Sequence, residues 1–520
     1  MLHKRKTFQV NVKGFEIDIP LLVLFIFNMI IVIIIFQSYL YERYISDSYA
    51  HWSSSWQDIA RLHVGGSRFI SAIYIFFLGL LNVKDIDIQI LNSACLITCI
   101  SLCITLLTVR IYQEIKNRSL TELVLIEVAV MLFYINTFTA EMAIFPETGF
   151  FIGFGHVFTL FAAFHAVKFK IAKHYLLAAL FLFLALGIYQ SFLGCFTMIT
   201  LSLIAIDSNM SINRKTISQL AIVFALLSIC SILNILTGKI LFALMRIEPN
   251  IRFATLNIHT ILSNIKKVIM FQLVLWNGLN HSILSFLPPL IFSVLVFNLF
   301  TCITPNNKLK QDKQNSLLVG LIWILIFCLG YLTLFMPFLF QAAGEIDNRA
   351  LLGFTGIYLI IVVMTEILSC AKVHKVISLI AVSLMLIANI QTVIRIGTEQ
   401  IMVNVLDTEY ANNVVREIKE YEAANGLLVT RLSICNDAVP LYHYPTIVNF
   451  VNGKKLTVTS SRVVEWSWTE LIMKQSGVDY TRLVMDPEIY QEHFANMNWD
   501  YFVPAEQMVF VDDTLYLSAF

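Results

Sequence analysis

Long apolar segments occupy most of the chain, and short polar turns separate them. A helix of roughly 20 apolar residues spans a lipid bilayer. Eleven segments are therefore interpreted as membrane spans, roughly over residues 21–36, 87–110, 122–138, 149–169, 174–188, 191–206, 216–236, 281–303, 316–340, 350–369 and 374–394. A twelfth, 69–81, has only about thirteen residues, and this length favours an interfacial helix over a span.

The basic residues indicate the side on which each turn lies. Cytoplasmic turns of membrane proteins carry an excess of lysine and arginine. If segment 69–81 does not cross the bilayer, all the basic turns lie on the same side of the membrane as the basic amino end at 4–6. These turns are at 110–118, 168–173, 214–215, 308–313 and 372–375. We therefore expect a cytoplasmic amino end, a first outer loop over about 39–86, and a tail that lies outside.

The pattern changes after the last span, because charged and turn residues return and the apolar runs shorten to strand length. A helix is expected over 408–424, ended by Gly426, and a closing hairpin over 508–517. The predicted fold class is a polytopic α-helical membrane protein with about eleven spans and a small extracytoplasmic α/β domain. The predicted division is 1–398 for the transmembrane domain and 399–520 for the tail domain.

The composition narrows the function further. Hydrophobic residues make up 58% of the chain and charged residues 14%, against about 25% charged in average globular proteins, which excludes an ordinary cytosolic enzyme. A net charge of +1 gives no general attraction to nucleic acid. Most of the nine cysteines lie inside apolar runs, and the sequence has no phosphate-cradling glycine loop. We expect no disulfide, no metal and no cofactor.

The polar chemistry is concentrated in the predicted outer loops. The first of these loops is the densest, and it contains Asp47, His51, Trp52, Trp56, Asp58, Arg61, His63 and Arg68. Aromatic rings beside carboxylates are typical of sugar-binding sites, where a ring stacks on the apolar face of a pyranose and carboxylates bind its hydroxyls. An interfacial aromatic belt with snorkelling arginines is an equally good interpretation of this loop by itself.

Two short motifs carry a family resemblance. The run from Gln57 to Arg61, followed by Gly66-Ser67-Arg68, resembles the "DD, two residues, R … GR" stretch of the type II Gtr membrane glucosyltransferases, which convert the serotype of bacterial O-antigen. The run Leu186-Gly187-Ile188-Tyr189-Gln190 is similar to the "LG-I-YQ" helix break of that family. Gln57 replaces the first acid of the family motif, and Ser67 interrupts its Gly-Arg pair.

The resemblance implies a GT-C architecture with a catalytic acid in the first outer loop. It also implies a polyprenyl-phosphate-linked sugar as donor, glucose most commonly, and O-antigen or another lipid-linked glycan as acceptor. The expected location is the bacterial inner membrane, with transfer on the periplasmic side of the lipid bilayer. A donor-lipid synthase and a donor-lipid flippase would be partners, and nucleic acid would not.

The chemistry of such a transfer suggests roles for individual residues. An inverting displacement requires one base near the acceptor hydroxyl, and we assign Asp58 to that role. Positive charge must stabilise the leaving phosphate, and guanidinium groups bind phosphate well. The candidates are Arg61, Arg68, Arg246, Arg252 and Arg349, each of which could instead contact lipid headgroups. Glu141 is expected in a short loop between two spans, where it would hold the acceptor, orient the base or simply be solvated.

Tyr189 and Gln190 interrupt an apolar run and are candidates for substrate contact, although a tight turn needs polar groups there in any case. Two other functions remain open at this stage. The chain could be an O-antigen polymerase, although a folded tail argues against one. It could also be a flippase or transporter of lipid-linked glycans, but such proteins usually carry buried charges at mid-membrane, where only Glu127 and Glu366 are clear here.

Overall fold

The structure is a computed structural model that is 78% helical, which confirms a helical membrane protein. It describes residues 7–519 with the exception of 13–14, 116–118, 169–170, 248–257, 279–285, 304–312, 340, 342–345, 347, 369–370, 438–449, 452–453, 456–462, 464 and 500. An antiparallel hairpin of β1 (Thr7–Val12) and β2 (Phe15–Pro20) leads directly into α1 (Leu21–Ile35).

Helices follow one another through the rest of the membrane part. The segment between α1 and α5 holds α2 (Ser46–Ser53), α3 (Trp56–Gly65) and α4 (Phe69–Leu80). Then come α5 (Gln89–Glu114), α6 (Leu120–Tyr134), α7 (Thr137–Ala143), α8 (Gly149–Ala166), α9 (Ala172–Ile188), α10 (Phe192–Ser208) and α11 (Arg214–Met245). The last are α12 (Ile258–Gly278), α13 (Leu287–Ile303), α14 (Lys313–Thr333), α15 (Met336–Leu339), α16 (Gly356–Ile367) and α17 (Lys372–Asn425). Short 3-10 helices lie at Gln37–Leu40, Asp85–Ile88, Pro146–Thr148 and Asn348–Ala350.

Helix length indicates which elements can cross a membrane. Within the described residues, four helices are long and apolar enough to do so alone, namely Asp85–Glu114, Pro146–Ala166, Arg214–Met245 and Lys372–Asn425. α6 and α7 together make one further candidate, bent by 45° at their break. Shorter apolar helices complete the bundle. The 12 residues of α4 measure about 18 Å, less than the hydrocarbon thickness of about 30 Å. α16, inside the expected span 350–369, has the same length, so helix length alone does not distinguish the two.

Two segments expected to be loops are helical. The chain turns into α7 because the Asn136 side chain accepts a hydrogen bond from the Thr139 amide (3.0 Å) and begins a new helix. Glu141 therefore lies in a buried helix and not in a short exposed loop, which corrects the sequence interpretation. The segment after residue 238, expected as an outer loop, is also helical in part, since α11 continues to Met245 and α12 follows it. Exposed Lys266 makes α12 look like a polar loop in the sequence.

The last membrane helix does not stop at residue 394. α17 continues for 54 residues without a break and ends at Gly426, whose φ of 67° is the left-handed conformation of a helix C-cap. Arg395 and Glu399, one turn apart, form a 3.0 Å ion pair. The charged residues after 394, which the sequence pattern indicates as the end of the span, therefore stabilise a continuous helix. The predicted division at residue 398 lies inside this helix.

A buried ion cluster joins three helices of the bundle. Lys375 of α17 lies 2.6 Å from Glu122 of α6 and 2.9 Å from Glu366 of α16, and all three side chains are almost completely buried. A buried charge is tolerated only when it is paired, and here one ammonium group serves two carboxylates. The cluster therefore holds these helices in one arrangement.

The tail forms a small α/β module. Its strands are β3 (Arg431–Asn436), β4 (Phe450–Val451), β5 (Lys454–Lys455), β6 (Thr481–Leu483), β7 (Met508–Val511) and β8 (Thr514–Ala519). Its helices are α18 (Glu465–Ser476), α19 (Pro487–Ile489) and α20 (Pro504–Gln507), with a π-turn at Tyr490–Phe494. The main sheet has the order β6-β3-β8-β7; β3 is parallel to β6 and β8, and β7 pairs with β8 as the expected closing hairpin.

The module packs on α2. Tyr49 of α2 is buried in the same apolar cluster as Tyr410 of α17 and Trp468 of α18. The ammonium group of Lys474 lies 3.4 Å from the centre of the Tyr44 ring, a cation–π contact. Asn404 of α17 donates a 2.6 Å hydrogen bond to the Tyr44 carbonyl. One face of α2 is therefore covered by the module.

Candidate functional site

Asp58 lies on the surface at the first turn of α3. Ser55 caps this helix, and its hydroxyl donates a 2.6 Å hydrogen bond to Oδ2 of Asp58. The guanidinium of Arg61, one turn later, lies 3.8 Å from Oδ1. The Asp58 side chain is 62% exposed, so a carboxylate and a cation are presented together to any molecule that binds over α3.

The two motifs that carry the family resemblance meet in space. The Gln190 side-chain amide donates to the carbonyls of Gly66 (3.3 Å) and Ser67 (3.2 Å), across a separation of more than 120 residues. The guanidinium of Arg68 lies 4.9 Å from the centre of the Tyr189 ring. The turn between α9 and α10 thus holds the loop that begins α4, and Arg68 and Gln190 lie in one site.

Close backbone approach explains the glycine in the second motif. A Cβ atom on Gly187 would lie 2.5 Å from the Phe69 ring, so only glycine allows α9 to contact the start of α4 at this distance. Ser67 has a φ of 55°, in the left-handed region that places the loop against Gln190. The loop before α4 is therefore shaped by contacts to both neighbours.

The remaining sequence-predicted residues are spread more widely. Glu141 is 1% exposed on α7. Arg349 is half-buried, and its guanidinium lies 4.6 Å from the centre of the Phe145 ring. Arg246 is exposed at the C-cap of α11, where its backbone is left-handed. Arg252 lies outside the described residues.

A buried polar network under α2 was not assigned to the site from the sequence. Nδ1 of His51 donates a 2.7 Å hydrogen bond to Asp85, at the start of the helix that leads into α5. The Ser48 hydroxyl donates a 2.9 Å hydrogen bond to Glu147. Both links join α2 to the membrane helices. His51 was noted in the sequence as part of the dense first loop, but no pattern indicates that Asp85 and Glu147 are its neighbours.

Arg43 lies beneath this network and is fully buried. Its guanidinium donates to the Ser93 hydroxyl at 3.1 Å, to the Ala143 carbonyl at 2.5 Å, and to the Tyr39 carbonyl. Burial lowers the pKa of Arg43 to about 10, and it remains charged at neutral pH. This arginine ties the end of the first helix to α5 and α7.

The electrostatics of the two histidines differ. Burial lowers the pKa of His51, but the charge and hydrogen bond of Asp85, with Glu147 and Asp47 nearby, outweigh it and raise the pKa to about 9. Burial, together with the positive charges of His51 and Arg68, holds the pKa of His63 well below its usual range. At neutral pH an imidazolium on α2 therefore faces a neutral imidazole on α3.

In the part of the chain that the structure describes, no three His, Cys, Asp or Glu side chains are grouped so that they could hold a metal ion. The arrangement instead offers exposed Asp58 and Arg61 on α3, Arg68 at the start of α4, and a supporting set of buried charges. These are the components that acid–base chemistry beside a negatively charged group requires.

Comparison with known proteins gives one result. The family model described as Glucosyl transferase GtrII matches residues 60–366. No curated protein and no solved structure matches the chain. The matched range includes both Arg68 and Gln190, begins two residues after Asp58, and ends before α17. Because it covers more than half of the 520 residues, the chain belongs to the GtrII family of glucosyl transferases, as the resemblance of its motifs predicts.

Proposed function

We propose that the protein transfers glucose from a polyprenyl-phosphate carrier to O-antigen or another lipid-linked glycan, by a single inverting displacement. The observation that supports this most directly is the contact between the two family motifs. Gln190 holds the Gly66–Ser67 loop, and Arg68, at the start of α4, lies over Tyr189. A cation fixed at a membrane surface suits a donor whose phosphate is anchored in lipid.

Asp58 is the proposed base. Its carboxylate is accessible, so an acceptor hydroxyl can reach it without displacing a folded segment. One carboxylate is sufficient for inversion, because a second is needed only when the enzyme forms a covalent intermediate. Arg61 and Arg68 are the first proposed phosphate-binding residues, since their guanidinium groups lie beside Asp58 and at the start of α4. Arg349, which contacts the Phe145 ring on a separate segment, is proposed as a further one.

Topology supports a periplasmic reaction in the inner membrane. With eleven crossings and α4 as an interfacial helix, the basic turns lie in the cytoplasm, as the positive-inside rule requires. α12 must then lie at the surface, which agrees with the exposure of Lys266 and Lys267 beside exposed apolar residues such as Ile269. The first loop and the tail module are then periplasmic, where sugar nucleotides are absent and a lipid-linked donor is required. A donor-lipid synthase and flippase would supply it.

The buried ion cluster argues against a transport role for Glu366. Glu366 was one of two intramembrane carboxylates that a transport pathway could use, but it is paired with Lys375, which also binds Glu122. Paired charges that join three helices stabilise one packing arrangement, whereas a transport site must change its partners between states.

The direct test uses cells and purified protein together. O-antigen from cells with and without the gene would be compared by sugar analysis and NMR, and we expect one added glucose per repeat when the gene is present. Purified protein should transfer glucose from polyprenyl phosphate glucose and not from UDP-glucose. Transfer from UDP-glucose without a lipid carrier would contradict the proposed donor, and unchanged O-antigen would contradict the proposed acceptor.

A further inference from the structure

Two buried histidines lie beside the loop that begins α4, and the proposed reaction has so far given them no role. His51 is on α2 and His63 is on α3, and their rings meet edge-on with centroids 6.0 Å apart. Both side chains are more than nine-tenths buried. His51 binds Asp85 through Nδ1, and as an imidazolium it retains a second N–H group on Nε2.

His63 has no comparable partner. Both of its ring nitrogens are buried, and neither makes a hydrogen bond within the described residues. Its ring contacts are the edge of His51 and the ring of Phe151, 5.6 Å away between centroids. Buried polar atoms without a hydrogen bond destabilise a fold, so an imidazole in this state requires an explanation. A bound ligand that accepts a hydrogen bond would provide one.

The surroundings of His63 favour an anion. The positive charges that act on it are those of His51 and Arg68. Arg68 is also the N-cap residue of α4, a 12-residue helix whose first turn has no acidic residue and no side-chain cap. Uncapped amide groups and the helix dipole attract negative charge at such an end. The carboxylates of Asp85, Glu147 and Asp47 act on His51 and keep it protonated.

We propose that His63, His51 and Arg68, at the amino end of α4, form a binding subsite for the phosphate group of a lipid-linked phosphate. The phosphate oxygens would accept hydrogen bonds from the two imidazoles and the guanidinium, and no covalent step is involved. The identification of that lipid with the sugar donor rests on the proposed function. The binding itself does not, since any lipid-linked phosphate presents the same group.

The test measures binding, not transfer. Purified full-length protein in detergent is titrated with farnesyl phosphate, with farnesol, with inorganic phosphate and with phosphatidylglycerol, and affinities are measured by calorimetry. We expect farnesyl phosphate to bind and farnesol not to bind. His63→Leu should weaken farnesyl phosphate binding by about tenfold or more, because a hydrogen bond to a charged group is lost. Its melting temperature should be unchanged or higher, because two unbonded polar atoms are removed.

His156 provides a matched control. It is a second buried imidazole whose ring nitrogens have no hydrogen bond within the described residues; it lies on α8 and packs against Tyr134 of α6 and Phe192 of α10. His156→Leu removes the same kind of group from a place without Arg68, so its affinity for farnesyl phosphate should equal that of the unmodified protein. Equal loss in both variants would show a general effect of core substitution and would overturn the proposal.

A second variant serves if His63→Leu does not fold. Asp85→Asn removes the charge that keeps His51 protonated, so its farnesyl phosphate affinity relative to the unmodified protein should fall as the pH rises from 6 to 8. An unchanged ratio would overturn the role of His51. Equal affinity of His63→Leu and the unmodified protein, or no binding of farnesyl phosphate at all, would overturn the subsite. His63-dependent binding of inorganic phosphate or phosphatidylglycerol with equal strength would overturn the lipid-carrier assignment.

The two proposals can fail separately. If the protein binds farnesyl phosphate through His63 but transfers no glucose, the subsite proposal stands and the proposed function is wrong. If the His63→Leu variant transfers glucose with unchanged efficiency, the proposed function stands and the subsite proposal is wrong.

Discussion

Asp85 accepts a 2.7 Å hydrogen bond from His51, and this buried pair joins α2 to the start of the long helix α5. Neither side chain lies in a motif by which the family was recognised. The pair nevertheless fixes the orientation of α2, and α2 contacts both the buried polar network and the tail module. The first outer loop, which has the densest polar chemistry, is thus held against α5 by a charged hydrogen bond.

The first prediction concerns pH. His51 has a pKa raised from 6.5 to about 9 on folding, so its contribution to stability is complete below pH 6.5 and is lost as the pH rises through about 9. The shift corresponds to an amount on the order of 3 kcal/mol. Thermal melts of the purified protein between pH 6.5 and 9 should show this decline. Asp85→Asn should flatten it and Asp87→Asn should not; an identical slope in all three proteins would contradict the assignment.

The second prediction concerns the proposed base. Asp58→Asn keeps the size of the side chain and removes the proton acceptor, so transfer should fall by about 10² to 10⁴ in rate. Asp87 is a matched control, because it is another exposed carboxylate near the start of a helical turn in the same segment. Asp87→Asn should retain normal transfer. If Asp47→Asn abolishes transfer while Asp58→Asn does not, Asp47 is the base.

The third prediction tests the contact between the two motifs. Gly187→Ala would place a methyl group against the Phe69 ring, and overpacking of this kind typically costs about 1–3 kcal/mol. We expect a lower melting temperature and lower transfer, because the start of α4 must shift. Gly320 also lies in a helix, but nothing lies within 4 Å of a Cβ built there. Gly320→Ala should be neutral or slightly stabilising, and equal losses in both variants would refute this explanation.

The fourth prediction concerns the buried ion cluster. Lys375→Met leaves the carboxylates of Glu122 and Glu366 buried without their cation, which should cost about 3–5 kcal/mol. Arg416→Met removes an exposed partner of Glu417 and should change stability by less than about 1 kcal/mol. Melting temperatures in detergent would compare the two. Adding Glu122→Gln and Glu366→Gln to Lys375→Met should restore part of the loss; no restoration would mean that packing, not charge, is the cause.

The fifth prediction concerns the side on which the tail lies. Val484 is 94% exposed in the module, so Val484→Cys should react with a membrane-impermeant maleimide in intact spheroplasts. Lys173 lies exposed in a basic turn at the start of α9, and Lys173→Cys should react only after the membrane is permeabilised. The unsubstituted protein gives the background of the native cysteines. The opposite labelling pattern would place the first loop and the module in the cytoplasm.

The sequence predicts those features that depend on local pattern. The short helix predicted at 69–81 is observed as Phe69–Leu80, and the closing hairpin around residue 512 is present, because apolar length and turn residues determine both. The family follows from short motifs. The partners of His51 do not, because Asp85 and Glu147 come from separate segments that only the packing of α5 and α8 brings together.

Local pattern also fails where polar residues are tolerated inside a helix. Lys266 and Lys267 interrupt the apolar pattern of α12, although both are exposed and the helix continues through them. The charged stretch after residue 394 suggested an end to the last span, although ion pairs one turn apart are compatible with a continuous helix. Charge marks where a chain leaves the bilayer, which is not always where the helix ends.

The continuity of α17 has a geometric consequence for how this protein can change. A helix of 54 residues is about 81 Å long, so most of it extends beyond a hydrocarbon layer of about 30 Å. It therefore sets both the height and the rotational phase of the module relative to α2. Inserting one residue would turn the module by about 100° and raise it by about 1.5 Å, which would separate Tyr410 from Tyr49. Substitutions along the exposed face of α17 should thus be tolerated far more readily than any change in its length.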